Sequence, residues 1–197
     1  MPKIFTLIAT LVLLNPVFAF GAERNEFPVK APRFSEQEGV RLKSNLLLWA
    51  ATIPNLGLEA TFNKRWSTSF DVWYSPWKLS EKLSVKTVAI LPAIRWWVKS
   101  NQSGSFLNVH FNIAWFNVRA NAYRYQDSGR PLLGAGIGYG YRLRVNNRWG
   151  FEFEIGGGFA DAKYNRYYNV ENGALIDTKK TMYWGIDRAS VTVTCNL

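Results

Sequence analysis

Cysteine, histidine and long apolar runs are scarce in this chain of 197 residues, and each shortage excludes a class of protein. Cys195 is the only cysteine, so an intrachain disulfide cannot form. His110 is the only histidine and has no partner at metal-ligand spacing, so we expect neither a metal nor another cofactor. Beyond residue 22, no stretch approaches the roughly 18 unbroken apolar residues of a transmembrane helix.

Acidic residues are also in deficit, because 24 Lys and Arg stand against 14 Asp and Glu, which gives a formal net charge of +10. A basic chain raises the question of a nucleic-acid partner. Here the basic residues are spread along the chain and follow an export signal, so we expect no nucleic acid. The charges are expected in a polar lumen, in loops and near anionic lipid head groups.

The N-terminus reads as a secretory signal peptide over residues 1–22. Lys3 supplies the positive region, and the apolar run of residues 4–14 is too short to span a bilayer as a helix. Residues 23–40 are polar, contain Pro28 and Pro32 and show no periodicity, which predicts a flexible periplasmic leader. Residues 41–197 then form the folded domain.

The clearest pattern is a long β-hairpin over residues 130–159 that turns at Asn146–Asn147. Successive side chains of a strand point to opposite faces, so each arm divides into two sets. One set is aliphatic and aromatic over roughly ten residues, the length that a tilted strand needs to cross a bilayer. The other set carries glycine and charge, as expected of a polar lumen.

The same alternation recurs along the chain and predicts an all-β fold, an eight-stranded antiparallel up-and-down transmembrane β-barrel of the bacterial outer membrane. Besides the two arms of the hairpin, the predicted strands are Arg41–Ala51, Leu56–Asn63, Trp66–Ser75, Thr87–Val98, Ser105–Phe116 and Met182–Leu197. Short turns fall at one end and longer loops at the other. The alternative is a soluble lipocalin-like barrel with its faces reversed, and nine tryptophans together with a charged lumen argue against it.

Glycine at every second position from Gly134 to Gly140 invites comparison with nucleotide-binding loops. Those loops need a strand, a turn and then the N-terminus of a helix, and no helix follows here. We interpret the repeat as a wall of small residues that leaves room for long side chains opposite.

Charged residues collect on the inward parity and predict a lumen ionic network. An eight-stranded barrel is only wide enough for its own side chains, so we expect a salt-bridged plug rather than a conducting pore or a carboxylate catalytic pair. Arg188 is a further possible member. The network residues are Lys43, Glu59, Asp71, Arg95, Arg142, Arg144, Glu152 and Glu154.

Three predicted loops, Pro76–Lys86, Asn117–Arg130 and Asp161–Thr181, carry the candidate binding residues. Tyr, Trp and Arg are enriched at binding hot spots. The alternative is that the aromatics complete an interfacial girdle and the arginines bind lipopolysaccharide phosphates. The candidate loop contacts are Trp77, Tyr123, Arg124, Tyr125, Tyr164, Arg166, Tyr167 and Tyr168.

Five short segments carry a resemblance to known proteins, namely residues 43–47, 54–59, 74–77, 136–141 and 148–149. Together they resemble an uncharacterised family, a domain of unknown function, of small outer-membrane β-barrel proteins from Bacteroidota-type bacteria. The resemblance covers about residue 41 to the C-terminus and implies an eight-stranded barrel without known catalytic residues. Members are often encoded near surface-pilus genes, which implies fimbrial or other surface partners. One departure is the C-terminal Leu197, where such barrels usually end on an aromatic residue.

From these patterns we expect a non-enzymatic outer-membrane protein with a plugged lumen, whose loops serve binding or surface assembly, as an accessory to fimbriae for example. Its other expected partners are outer-membrane lipid and lipopolysaccharide. The alternatives are a lipid-modifying outer-membrane enzyme and a small pore. An enzyme needs a nucleophile in hydrogen-bonding reach of a base, and no such pair can be assembled around His110, which lies on the lumen parity.

Overall fold

The computed structural model describes residues 39–197, and these residues form antiparallel strands with one short helix. The predicted signal peptide and the leader up to residue 38 lie outside the described residues. No helix within residues 39–197 is long and apolar enough to cross a membrane. The elements are β1 Val40–Asn45, α1 Leu46–Ala50, β2 Asn55–Asn63, β3 Trp66–Lys78, β4 Leu83–Trp97, β5 Gly104–Ala120, β6 Tyr123–Asp127, β7 Leu132–Arg144, β8 Trp149–Tyr168 and β9 Leu175–Asn196.

Eight of the nine strands close into a ring of antiparallel pairs. The order is β1–β2–β3–β4–β5–β7–β8–β9, and β9 closes the ring by pairing with β1. Each link between neighbours in the sequence is a reversal of the chain. Because the number of ring strands is even, the start of β1 lies beside the end of β9, where Arg41 pairs with Asn196. We call this end of the ring, which also holds the turns at residues 64–65, 98–103 and 145–148, the lower end.

The ninth strand corrects the prediction of eight strands, although it adds no new position to the wall. β6 pairs with β5 and β8, the same two strands that flank β7. On β5, Asn117 pairs with Gln126 of β6, and Ala114 pairs with Leu132 of β7. The chain of β6 and β7 thus advances six residues where β5 advances three, so three extra residues separate the two registers. β6 and β7 are therefore two segments of one strand position, offset by the excursion at residues 128–131.

The three predicted loops are wrong, because most of their residues continue the strands. β3 runs to Lys78, β4 begins at Leu83, β8 runs to Tyr168 and β9 begins at Leu175. Above the ring these segments form an open sheet with β6. We call this region the upper sheet, and it comprises residues 75–78, 83–86, 117–120, 123–127, 164–168 and 175–179.

The first predicted strand is also wrong beyond Asn45. The side chain of Asn45 caps α1 by accepting a hydrogen bond from Leu47 N at 3.0 Å. Asn55 then binds both backbone groups of Asn45, with its Oδ1 accepting from the N–H and its Nδ2 donating to the carbonyl. Because this local hydrogen bonding competes with the ladder, the apolar run of residues 46–50 turns as a helix instead of extending β1.

The two faces of the ring have opposite polarity. The outward side chains are large and apolar, and several are mostly exposed, with Ile137 at 71% and Trp184 at 70%. The inward positions are polar or small and buried, and Arg95, Glu59 and His110 are each 0% exposed. The alternation predicted from the sequence is therefore present, with the apolar set outside and the charged set inside.

The glycine repeat on β7 makes room for side chains of β5, as the sequence interpretation proposed. A Cβ on Gly140 would overlap the Phe106 ring, and a Cβ on Gly138 would lie 2.7 Å from Asn108 Nδ2. A Cβ on Gly136 would lie 2.7 Å from His110 Nε2. Three consecutive inward residues of β5 therefore occupy space that any larger residue on β7 would fill.

Replacing Gly140 with alanine should destabilise the fold by about 1–3 kcal/mol, because the buried Phe106 ring must leave its site to accommodate the methyl group. Denaturant unfolding of the purified protein measures the change. The double variant Gly140→Ala/Phe106→Leu should lose less than the sum of the two single changes. Full additivity would show that Phe106 is not the group that requires the glycine.

Candidate functional site

The ring encloses an ionic network whose centre is Arg95 on β4. Its Nη1 donates to Glu59 Oε2 at 3.1 Å and to Glu152 Oε2 at 2.8 Å, and its Nη2 donates to Glu154 Oε2 at 2.8 Å. One guanidinium thus joins carboxylates from two strands, β2 and β8, across the interior. Its plane also lies over the Phe106 ring, with 4.6 Å from Cζ to the centroid.

The surrounding cations complete the neutralisation of the three glutamates. Lys43 Nζ lies 3.1 Å from Glu152 Oε2 and 3.8 Å from Glu59 Oε2. Arg142 Nη2 lies 3.1 Å from Glu152 Oε1, in the cross-strand arrangement that their paired positions on β7 and β8 predict. All four of these side chains, with Arg95, are less than 5% exposed. Glu59 and Glu152 are therefore each matched by at least two cations, as burial of charge requires.

The network continues upward through Arg188 on β9. Arg188 Nη1 donates to Glu154 Oε1 at 3.0 Å, and its Nη2 lies 4.0 Å from Asp71 Oδ2. Asp71 occupies the space opened by Gly57, where a Cβ would overlap its carboxylate. The predicted member Asp71 is thus at the edge of the network, and Arg188 belongs to it.

At the lower end the interior is closed by a second group of side chains. Arg41 donates to Glu59 Oε1 at 3.2 Å and to Gln102 Oε1, and Gln102 Nε2 donates to the carbonyl of Asn63 at 3.0 Å. Trp97 donates to Ser67 Oγ at 2.9 Å and stacks against Phe106 at 4.7 Å between centroids. The turn at residues 98–103 therefore folds a buried glutamine across the ring.

Arg144, the last predicted network member, lies at this same lower end. Its Nη2 donates to the backbone carbonyl of Asn101, in the turn that closes the ring. Its side chain thus binds the closing turn and extends the polar interior toward it.

His110 lies above the network in a chain of hydrogen bonds. Its Nδ1 is 2.8 Å from Asn108 Oδ1, and Asn108 Nδ2 donates to Glu154 Oε1 at 3.1 Å. Its Nε2 is 3.0 Å from Asp187 Oδ2, which also accepts from Asn112 Nδ2 at 2.9 Å. One nitrogen of the imidazole is engaged by an amide and the other by a carboxylate, and among residues 39–197 neither contacts a hydroxyl or thiol nucleophile.

Asp187 reaches the interior through a β-bulge in β9. Gly156 pairs with Arg188 but Gly157 pairs with Ile186, so Asp187 is the extra residue. In a bulge two residues oppose one, and here Asp187 and Arg188 both turn inward. The parity of β9 reverses at this point. Within residues 39–197, no group of three or more His, Cys, Asp or Glu side chains could hold a metal ion.

The candidate loop residues divide between the two faces of the upper sheet. Arg124 lies over the Tyr167 ring at 4.7 Å on the outer face, and Arg166 lies over the Tyr123 ring at 5.1 Å on the inner face. Arg166 also forms a bidentate pair with Asp177, at 3.0 and 2.8 Å. Trp77 is apart from this cluster and donates to Thr52 Oγ1 at 2.8 Å. The structure thus brings the tyrosines and arginines together but not Trp77.

Sequence reasoning omitted several residues that complete the interior. Arg41 shares the parity of Lys43 and could have been included on that ground, and Asn108 shares the parity of His110. Asp187 and Gln102 carried no usable signal, since one lies in a bulge and the other has a positive φ of 50° in a turn.

Comparison with known proteins gives one family. The family model described as "Protein of unknown function (DUF3575)" matches residues 27–197. No match was found among curated proteins, and none among solved structures.

Replacing Glu152 with alanine should destabilise the protein by about 3–5 kcal/mol, because Lys43, Arg95 and Arg142 would lose a shared carboxylate inside the ring. The loss should appear as a lower melting temperature of the purified protein. Glu81→Ala is the matched control, since Glu81 pairs with Lys78 at 2.6 Å on the exposed surface and should leave the melting temperature unchanged. Equal effects of the two changes would contradict the structural role of the network.

Proposed function

The chain belongs to DUF3575, a family of proteins of unknown function, and we propose that it is a transmembrane β-barrel of a bacterial outer membrane with a plugged lumen and a non-enzymatic binding surface. The observation that supports this proposal most directly is the inverted polarity of the ring. Large apolar side chains are exposed all around its outside, whereas charged side chains fill its interior. An apolar surface of this extent is costly in water and favourable in hydrocarbon.

The distribution of charge supports the same placement. The upper end, taken as residues 75–86, 116–131 and 161–183, carries ten Lys and Arg against five Asp and Glu, a net charge of +5. The turns of the lower end carry Lys64, Arg65, Lys99 and Arg148 without an acid, a net charge of +4. Two basic ends that flank an apolar belt match the anionic head groups on both sides of a membrane.

Two tryptophans mark one boundary of that belt. Asn63 Oδ1 accepts from the backbone N–H groups of Arg65 and Trp66, and Asn146 Oδ1 accepts in the same way from Arg148 and Trp149. The two identical turns place Trp66 and Trp149 at the lower end, both about half exposed. Indole rings at one depth are typical of a membrane interface.

In this proposal the lower end faces the periplasm and the upper sheet faces the exterior. The first residue of β1 and the last residue of β9 both lie at the lower end, and the predicted periplasmic leader precedes β1 in the sequence. The upper sheet is then the surface available for lipopolysaccharide and for surface partners, fimbrial proteins among them. Its tyrosines and arginines suit such a role, since these residues combine contact area with hydrogen bonding.

The two alternative functions are supported less well. A pore requires a water path, and Trp97, Phe106 and Gln102 close the lower end of the interior. Large and stable single-channel currents from the wild type would favour the pore. A lipid-modifying enzyme requires a base beside a nucleophile, whereas His110 is held by Asn108 and Asp187.

We expect the mature protein to fractionate with the outer membrane and to resist extraction by alkaline carbonate, because its apolar belt needs hydrocarbon. Immunoblotting of separated fractions measures the distribution. As a control for misfolded aggregate, the detergent-extracted protein should show a fold-dependent shift in gel mobility on heating. Recovery in the soluble periplasm without detergent would refute the membrane proposal.

Removing the upper sheet should abolish function while leaving the barrel inserted. Three register pairs lie at the base of the upper sheet, so an Asn-Gly turn can join each pair without disturbing the ring. The pairs are Ser75 with Thr87, Asn117 with Gln126 and Tyr164 with Lys179. In the native host, we expect this shortened variant to reproduce the surface-assembly phenotype of a deletion strain. His110→Ala should leave lipid A unchanged, provided that the variant still inserts into the membrane. A deletion that alters lipid A, reproduced by His110→Ala, would instead indicate an enzyme.

A further inference from the structure

The excess positive charge of the upper end lies on the outer face of the upper sheet and in its turns. On the inner face, the strand register places Arg166 and Lys179 together with Asp127 and Asp177, so the charges there balance. The net charge of +5 therefore comes from eight cations and three acids on the outer face and in the connecting segments. These residues are Lys78, Lys82, Lys86, Arg119, Arg124, Arg130, Lys163 and Lys180, with Glu81, Asp161 and Glu171.

Two pairs of cations stand directly opposite each other on the outer face. Lys163 of β8 is the register partner of Lys180 of β9, and we call these two residues the lysine pair. Arg119 of β5 is the register partner of Arg124 of β6, and we call these two the arginine pair. Directly opposite residues on one face have Cβ atoms about 4.5–5.5 Å apart, and like charges in such positions destabilise a sheet.

The sheet supplies too little acid to neutralise the lysine pair. Asp161 is shared between Arg130, at 2.9 Å, and Lys180, at 3.6 Å. Among residues 39–197, Lys163 forms no ion pair of its own. Three cations thus depend on one carboxylate, and a further anion between the two lysines would remove their repulsion.

The arginine pair lies higher on the same face. Arg119 is four residues beyond the outward Trp115 on β5, which is about 13 Å along the strand at roughly 3.3 Å per residue. The Arg124 guanidinium is held over the Tyr167 ring at 4.7 Å. Its Nε is buried and donates to no acceptor among the described residues. The second pair is therefore preorganised and keeps hydrogen-bonding capacity for an anion.

The basic positions begin where the apolar belt ends. On β9, Lys180 is the next outward residue after Met182, and on β4, Lys86 is the next outward residue after Val88. Met182 and Val88 are both exposed. Two residues of a strand span roughly 7 Å, so the amino groups start within one side-chain length of the belt.

We propose that the outer face of the upper sheet binds the phosphate groups of lipid A, with the lysine pair as the main contact and the arginine pair above it. The inference rests on the proposed function, because it requires the apolar belt to lie in the membrane. A phosphate between two lysines accepts a charge-assisted hydrogen bond from each amino group. The guanidinium fork of an arginine matches two phosphate oxygens. The lipid thereby neutralises cations that the sheet leaves in repulsion.

Continuity with the belt favours a lipid over a soluble anion. Met182 and Trp184 are mostly exposed on β9 directly below Lys180, and their apolar surfaces suit contact with acyl chains. A lysine side chain lies along apolar surface with its stem and places its amino group among head groups. One lipid can therefore use both the apolar and the charged part of this face, whereas a soluble anion uses only the charge.

Titration of the purified protein in dodecyl maltoside micelles with diphosphoryl lipid A tests the proposal, and dephosphorylated lipid A is the matched uncharged probe. We expect the wild type to bind the diphosphoryl form about tenfold or more tightly, with an affinity that falls as salt increases. The double change Lys163→Gln/Lys180→Gln should raise the Kd for this form by about tenfold or more. Equal affinity of the wild type for the two lipids would overturn the proposal.

Two neighbouring lysines of β9 separate the outer face from general electrostatic attraction. Lys180 lies on the outer face and Lys179 on the inner face, so each change to glutamine removes one charge at nearly the same height. We expect Lys180→Gln to raise the Kd by about fivefold or more and Lys179→Gln by less than about twofold. Equal effects of the two changes would overturn the proposal.

Thermal unfolding gives a second readout, which a purely structural role of the lysines would not produce. Without lipid A, Lys163→Gln/Lys180→Gln should melt no lower than the wild type, because the change removes a repulsion. With diphosphoryl lipid A, the wild type should gain more in melting temperature than the double variant, because the ligand binds its folded state more tightly. An equal gain in the two proteins would contradict the proposal.

The remaining outcomes identify what fails. Binding of polygalacturonate as tightly as diphosphoryl lipid A would indicate a general polyanion surface and overturn the inference. A wild type that resists carbonate extraction but does not distinguish the two lipids would refute the inference and leave the membrane proposal intact. Recovery in the soluble periplasm would refute the membrane proposal and the inference with it.

Discussion

Neutralisation of buried carboxylates is the constraint on which the rest of the structure depends. Glu59, Glu152 and Glu154 are enclosed by the ring, and an unpaired carboxylate there would cost several kcal/mol. Arg95 can serve all three only if β2, β4 and β8 surround one axis at a distance that a single side chain bridges. These charges therefore pair only when the sheet is closed into a ring.

The same requirement fixes the register of every strand that contributes a charge. A slip of one residue would turn each inward side chain outward and expose the charged set to the apolar side. The glycines of β7 are part of this arrangement, because Phe106, Asn108 and His110 take up the volume left by the missing side chains. Packing and electrostatics thus select one pairing of β5 with β7.

Period-two reasoning predicted the ring well wherever a strand is regular. It placed Lys43, Arg95, Arg142 and Glu152 inside, and each of the three cations contacts Glu152. It failed where the period breaks. The bulge at Asp187 reverses the parity of β9, and the excursion at residues 128–131 reverses it between β7 and β6. The excursion contains Gly129 and Pro131, which signal a break in the strand but do not give its length. The segments read as loops are polar strands. Their tertiary pairing overrides the low strand preference of Asn, Asp and Lys, and their tyrosines favour the strand.

The offset between β6 and β7 has an engineering consequence. The three additional residues let β6 and β7 take different registers against the same two neighbours, β5 and β8, so at this one position the two levels of the wall need not share a register. A strand grafted above this joint would keep its own alternation of inward and outward side chains and would not shift the alternation in the ring below. A closed ring with such a joint is suited to use as a display scaffold. The upper sheet can be exchanged while the ring below provides the stability of the fold.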